Sequence, residues 1–457
     1  MVTEMTRGRF ARAMGVGVVA LGMTLGSTTP AAAVTVLDLP ASQLRITLGR
    51  ALAEHAFLTV EAMRTGLVEG EAFAAAGEAL EENTVEIVEL IESVYGADAG
   101  RAFADLWRSH IGYVVDYTRA LAESDEAGTA RAVERLHEYT ADLADLLSGA
   151  NPNLPREAVL GLLEDHVAQL EHVAAFAEDD YATAYSAIRE TYAHMFDIGD
   201  GLSEAIVVQF PERFPGRPVA FGPTVDLALA LDRVLGEHAL LAIMSTRAGL
   251  REAPDLDAAA AALEGNSAEL TGAIAGIYGE PAGARFGELW RTHTGLYLDY
   301  VAATRDGDLP GRSAAREGLG SYRTDFAAFL AEANAELSAP ALEEVLGLHT
   351  NHLLDQVDAF ADDDFIGAYR ITRDAYEHMA VIGGALATAI AAQFPELFPD
   401  TAVSKDSASS IPAQEALPLL GSVLLLSALL WPSLVAIRRA RRATEVRRPR
   451  PRGEADR

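Results

Sequence analysis

"LWRSHIGYVVDYTRA" (residues 106–120) returns far along the chain as "LWRTHTGLYLDYVAA" (residues 289–303). Trp107, His110, Gly112, Asp116 and Tyr117 match Trp290, His293, Gly295, Asp299 and Tyr300 at a constant offset of 183 residues. Trp107, His110, Val114 and Tyr117 fall three to four residues apart. That is the period of an α-helix, so they form one inward-facing stripe.

The match extends in both directions. "LAEHAFL" (52–58) meets "LGEHALL" (235–241), and His166 meets His349. After one single-residue gap, "AFAEDDYATAY" (175–185) meets "AFADDDFIGAY" (359–369), and "QFPERFP" (209–215) meets "QFPELFP" (393–399). Self-similarity at so long a period reads as one duplicated domain, not a solenoid of short units. Gly, Pro and capping residues divide the first copy into six helical stretches, near 44–66, 71–94, 98–122, 127–148, 155–178 and 180–208. Short joints make consecutive helices antiparallel. The expected fold is all-α, with two tandem homologous up-and-down helical bundles (40–214 and 225–398) joined by a Pro/Gly-rich linker (215–224).

Composition agrees with that class. Ala, Leu and Glu are abundant, and half of the 457 residues are apolar. There is no Cys, so neither a disulfide framework nor a thiolate metal site can form. The formal charge of −31 repels nucleic acid and favours cations or solubility.

The two ends carry an address. Arg7, Arg9 and Arg12, an apolar run and Ala31 to Ala33 follow the order of a secretory signal peptide, expected over 1–33. Near the other end a stalk (399–415) leads to the apolar run "ALPLLGSVLLLSALLWPSLVAI" (416–437), long enough to span a bilayer as a helix. An Arg-rich tail (438–457) follows at once, which predicts a cytoplasmic tail and an ectodomain outside the membrane. "LPLLG" (417–421) resembles a cell-wall sorting signal with Leu420 where that signal needs Thr, so wall attachment is a minor alternative to a plain membrane anchor.

The histidines carry the chemistry. Four positions recur in both copies, His55/His238, His110/His293, His166/His349 and His194/His378, on four different helices. Each lies near mid-helix, and mid-helix residues of an up-and-down bundle share one transverse layer. Two clusters of four imidazoles are therefore expected, each able to take copper, zinc or iron, with haem a lesser option. Glu54/Glu237 and Asp116-Tyr117/Asp299-Tyr300 are the candidate ligands or orienting partners around them, and Met195/Met379 could add a thioether. Adjacent Glu54 and His55 point about 100° apart, which disfavours a di-iron carboxylate centre. The competing reading is a surface interaction module in which the histidines are purely structural and no cofactor binds. No nucleophile–base pair or phosphate loop appears, so an enzyme is not the leading expectation.

"EHAFL…EAMR", "LWRSHIGYVVDYT", "ANPNLP" and "YAHMF" resemble an uncharacterised group of exported bacterial helical-repeat proteins sometimes labelled copper amine oxidases. The resemblance covers both copies and implies secretion and helical repeats. It does not carry the enzyme with it. Copper amine oxidases are β-rich and build their quinone from a Tyr in an Asn-Tyr-Asp/Glu setting, and neither "VDYT" nor "LDYV" supplies the Asn. Expected partners are a metal ion and the membrane through a single C-terminal span; no nucleic acid is expected, and the sequence names no protein partner.

Overall fold

The computed structural model describes residues 35–399 except residue 69. The expected signal peptide, membrane span and basic tail, and all but the first residue of the expected stalk, lie outside the described residues. Among the described residues there are thirteen α-helices and no strand. The first six are α1 (Pro40–Val68), α2 (Gly70–Tyr95), α3 (Ala97–Ala122), α4 (Glu126–Ala150), α5 (Arg156–Val173) and α6 (Tyr181–Gln209). A one-turn helix, α7 (Arg217–Ala220), leads to α8 (Pro223–Arg251), α9 (Leu256–Tyr278), α10 (Glu280–Arg305), α11 (Leu309–Ala333), α12 (Ala339–Ala361) and α13 (Phe365–Gln393). Each set of six forms a ring of neighbours, closed where α1 packs on α6 and α8 on α13.

Local chemistry sets the boundaries. Pro40 and Pro223 open helices at a position whose N–H would have no partner anyway. Asp180 and Asp364 cap α6 and α13 by accepting from the backbone N–H of Thr183 and Gly367. Gly66, expected at a joint, lies inside α1 instead. A Cβ there would come within 2.8 Å of Thr118, so the glycine serves helix contact rather than helix ending. At Gly199 a Cβ would lie 2.7 Å from the Cα of Gly49, which is how closely α6 and α1 cross.

The single-residue gap between the halves has a structural counterpart. Continuing from α5, residues Ala174–Glu178 wind as a 3-10 helix, whereas α12 stays α-helical to Ala361. A 3-10 turn rises ~2.0 Å per residue against ~1.5 Å for the α form. Over five residues that recovers about 2.5 Å, enough to replace the rise of the missing residue.

The joint at 215–224 is not an extended spacer. Phe214 and Ala220 are buried, and Arg45 on α1 donates to the Ala220 carbonyl at 3.0 Å. The two halves meet through buried charge. Arg64 on α1 donates to Asp255 of the second half at 2.9 and 3.1 Å. Arg247 on α8 pairs with Glu61 of the first half. Tyr185 and Tyr369 each donate to the acid of one of these pairs, at 3.0 Å. Further out, Arg189 bonds Glu237 at 3.0 Å and Arg373 bonds Glu54 at 3.0 and 3.2 Å. Tyr192 and Tyr376 share a hydrogen bond of 3.2 Å between the halves. They crowd Gly236, where a Cβ would fall 2.5 Å from the Tyr192 hydroxyl.

Among the described residues one helix, α13, is long and apolar enough to cross a membrane; just over half of its most apolar stretch is buried in the bundle. The expected span at 416–437 is a different segment.

Removing one partner of a buried ion pair leaves a charge without compensation, which costs about 3–5 kcal/mol. Glu61→Leu and Arg247→Met should each lose stability on that scale in urea denaturation, and the double variant should lose less than either single change.

Candidate functional site

The histidines expected to share one layer are placed unequally in the two halves. In the first half His55 (α1) and His110 (α3) are buried, and their Nε2 atoms lie 3.2 Å apart, in hydrogen-bond contact. His110 stacks on Tyr139 at 4.6 Å between ring centroids, and His55 tilts against Trp107 at 4.6 Å. His166 (α5) is buried as well. It does not join the pair in a compact group of three. In the second half the equivalent residues do. His238 (α8), His293 (α10) and His349 (α12) each offer a ring nitrogen, all within 4.8 Å of one another.

The hydrogen bonds around that trio favour a ligand role. His293 Nδ1 lies 3.0 Å from the Trp290 carbonyl. A carbonyl only accepts, so Nδ1 carries the proton and Nε2 keeps its lone pair. Both ring nitrogens of His238 and of His349 are buried without a hydrogen-bond partner. Buried polar atoms are nearly always satisfied, so four orphaned nitrogens beside a correctly oriented third ring need a reason. A tetrahedral zinc ion with ~2.0–2.1 Å Zn–N bonds sets its ligand nitrogens about 3.3 Å apart. The trio's nitrogens, within 4.8 Å of one another, would have to draw together to reach that spacing.

Several expected participants are elsewhere. His194 and His378 donate Nε2–H to the carbonyls of Leu162 and Val345, at 3.0 and 2.9 Å. They tie α6 to α5 and α13 to α12, outside the trio. Glu54 and Glu237 face the opposite half and accept from Arg373 and Arg189, and also from Asn83 and Asn266 at 2.9 and 2.7 Å. Asp116 and Asp299 are exposed, and Asp116 pairs with Arg119 at 3.0 Å. Tyr117 is buried apart from the histidines; Tyr300 donates to Asp358 at 2.8 Å. Among the described residues none of these six hydrogen-bonds a histidine. The orienting partner is a backbone carbonyl, which no side-chain pattern announces. His352 has no counterpart in the first copy. It stands one turn after His349, and its ring centroid lies 5.5 Å from that of His378.

A cavity of about 70 Å³ opens beside the trio. His293, His349 and Trp290 line one end of it, and Asn334 and Leu337 the other, with Leu, Ile and Phe side chains between. At roughly 24 cal/mol per Å³, a void of that size costs about 1.7 kcal/mol of stability.

Burial holds the rings neutral. Burial is the largest cause in every case, with neighbouring imidazoles adding to it at most positions. His55, His238 and His349 are pushed well below the ordinary imidazole range. Burial brings His110 to about 3 and both His166 and His293 to about 4. A neutral imidazole binds metal without first losing a proton.

Fold and site together define an all-α bundle protein with a histidine-centred core. Comparison with family models, curated proteins and solved structures finds no match.

The neutral rings fix the sign of a pH effect. Their folded pKa values lie below the unfolded ~6.5, so unfolding takes up protons as the medium turns acid. The stability they preserve is complete above pH ~6.5 and is lost progressively as pH falls towards about 4. Each ring contributes up to about 1.4 kcal/mol per pH unit in that window. The melting temperature should fall steeply from pH 7 to pH 5; a flat profile would mean these rings titrate normally in the native state.

Proposed function

We propose that this chain is a membrane-anchored extracytoplasmic protein of two duplicated helical bundles, and that its second bundle binds one transition metal ion through His238, His293 and His349. Zinc, copper or iron suits a neutral imidazole set, and the role is metal handling or sensing. The observation that carries this reading is the convergence of three buried rings, two of which, His238 and His349, have no hydrogen-bond partner on either nitrogen. Three imidazoles with an open fourth position are also the ligand set of several catalytic zinc sites, so a reaction at the ion is compatible with the geometry. Haem is disfavoured, because a 70 Å³ cavity is well below the roughly 300 Å³ of ordinary ligand pockets.

For the first half the structural reading of the histidines is the better one. His55 and His110 bond each other and are packed between Trp107 and Tyr139. The anchor at 416–437 and the leader at 1–33 rest on their sequence pattern alone.

Full-length protein, stripped with a chelator and titrated with zinc, copper(II) and cobalt(II), tests the proposal. One tightly held ion per chain is expected, with cobalt giving the intense visible bands of a tetrahedral site. His293→Ala and His349→Ala should abolish uptake, while His55→Ala and His110→Ala leave it intact. A chain that takes up none of the three ions would end the metal reading.

A further inference from the structure

We propose that the cavity in the second bundle is a chamber for one small, uncharged, apolar molecule of the size of a diatomic gas, held against His293 and His349. The chamber's walls are almost entirely carbon. Its polar groups at the far end are already engaged: Asn334 donates to the Tyr278 hydroxyl at 3.2 Å and accepts from the Glu336 N–H at 2.9 Å. Along the wall Thr350 donates to the Leu346 carbonyl at 2.8 Å. At the near end His349 keeps both ring nitrogens without a partner. A buried water needs two to four polar partners; only the near end, where Trp290 Nε1 is unpartnered as well, offers them, so the carbon-lined length of the chamber away from that end selects against water.

Size narrows the ligand further. A cavity of 150 Å³ admits benzene or xenon. This one, at about 70 Å³, excludes an aromatic ring and leaves room for two or three heavy atoms. Charge is excluded by the apolar lining, since an unpaired ion there would be uncompensated. Small diatomics meet all three conditions.

Position supplies the function. From Leu342 to His349, both on the wall, is seven residues of α12, or about 10 Å of rise. The chamber therefore runs along the bundle, with the His293 and His349 rings at one end. Occupancy of the chamber follows from shape and polarity alone. Only the final contact, with the open position of a bound ion, rests on the metal reading above.

Xenon is the probe, because it needs no metal. In chelator-stripped full-length protein, xenon-129 resonance should show one saturable site. Leu346→Phe, which fills the wall one turn before His349, should weaken that site at least tenfold while metal uptake is unchanged. Ala282→Phe blocks the same chamber from α10 and serves if the first variant does not fold. A shift that only rises linearly with pressure, or a site indifferent to both substitutions, overturns the chamber. A His293→Ala protein that takes up no metal yet still binds xenon leaves the chamber standing. A wild-type chain that binds xenon but no ion removes the metal reading alone.

Discussion

Five carboxylates, Glu54, Glu61, Asp232, Glu237 and Asp255, sit inside the protein, and each finds its arginine on the other half. A buried carboxylate without a partner is untenable, so neither ring of helices satisfies its own interior. The pairs also fix register. α1 and α8 must lie where Arg64 and Arg247 reach across, and those two helices carry His55 and His238. The chemistry of the core is thus positioned by electrostatics at the junction as much as by packing within each bundle.

Most of the helical plan was legible because it rests on period and punctuation. The stripe Trp107, His110, Val114 and Tyr117 faces inward as its spacing requires, and its equivalents, Trp290, His293, Tyr297 and Tyr300, are all buried too. What the pattern could not supply was rotation about each helix axis. That rotation decides whether a third ring closes on two others, and it differs between halves that share the same histidines. It also decides that Glu54, next in sequence to His55, turns away to Arg373. The acids of the central pairs were hidden for another reason. Glu61 stands where the second copy has Met244, and Asp255 where the first has Ala72. Comparing the copies column by column therefore passes over both.

The asymmetry of the two histidine layers has a consistent physical form. In both halves the rings pack on aromatic neighbours, and in the first His55 and His110 share one Nε2–Nε2 hydrogen bond while their Nδ1 atoms and that of His166 stay unpaired. In the second, two rings keep their nitrogens unpaired beside an unfilled volume. Both features lower stability, through desolvation and through the void, and both lie at the same place. Interiors tolerate such combinations mainly where a ligand completes them. One copy has kept the scaffold, and the other holds the space.

The pairing across the junction also bears on assembly. Because each buried carboxylate at that surface is answered by an arginine of the opposite half, two polypeptides could trade halves and recover the same ion pairs. The only segment that would have to open is the stretch around α7, from Phe210 to Gly222. Its anchors, Phe214 and Ala220 in the core and the Arg45 bond to Ala220, hold that hinge shut. Loosening them would favour an intertwined dimer over the closed monomer, with no new contact surface needed.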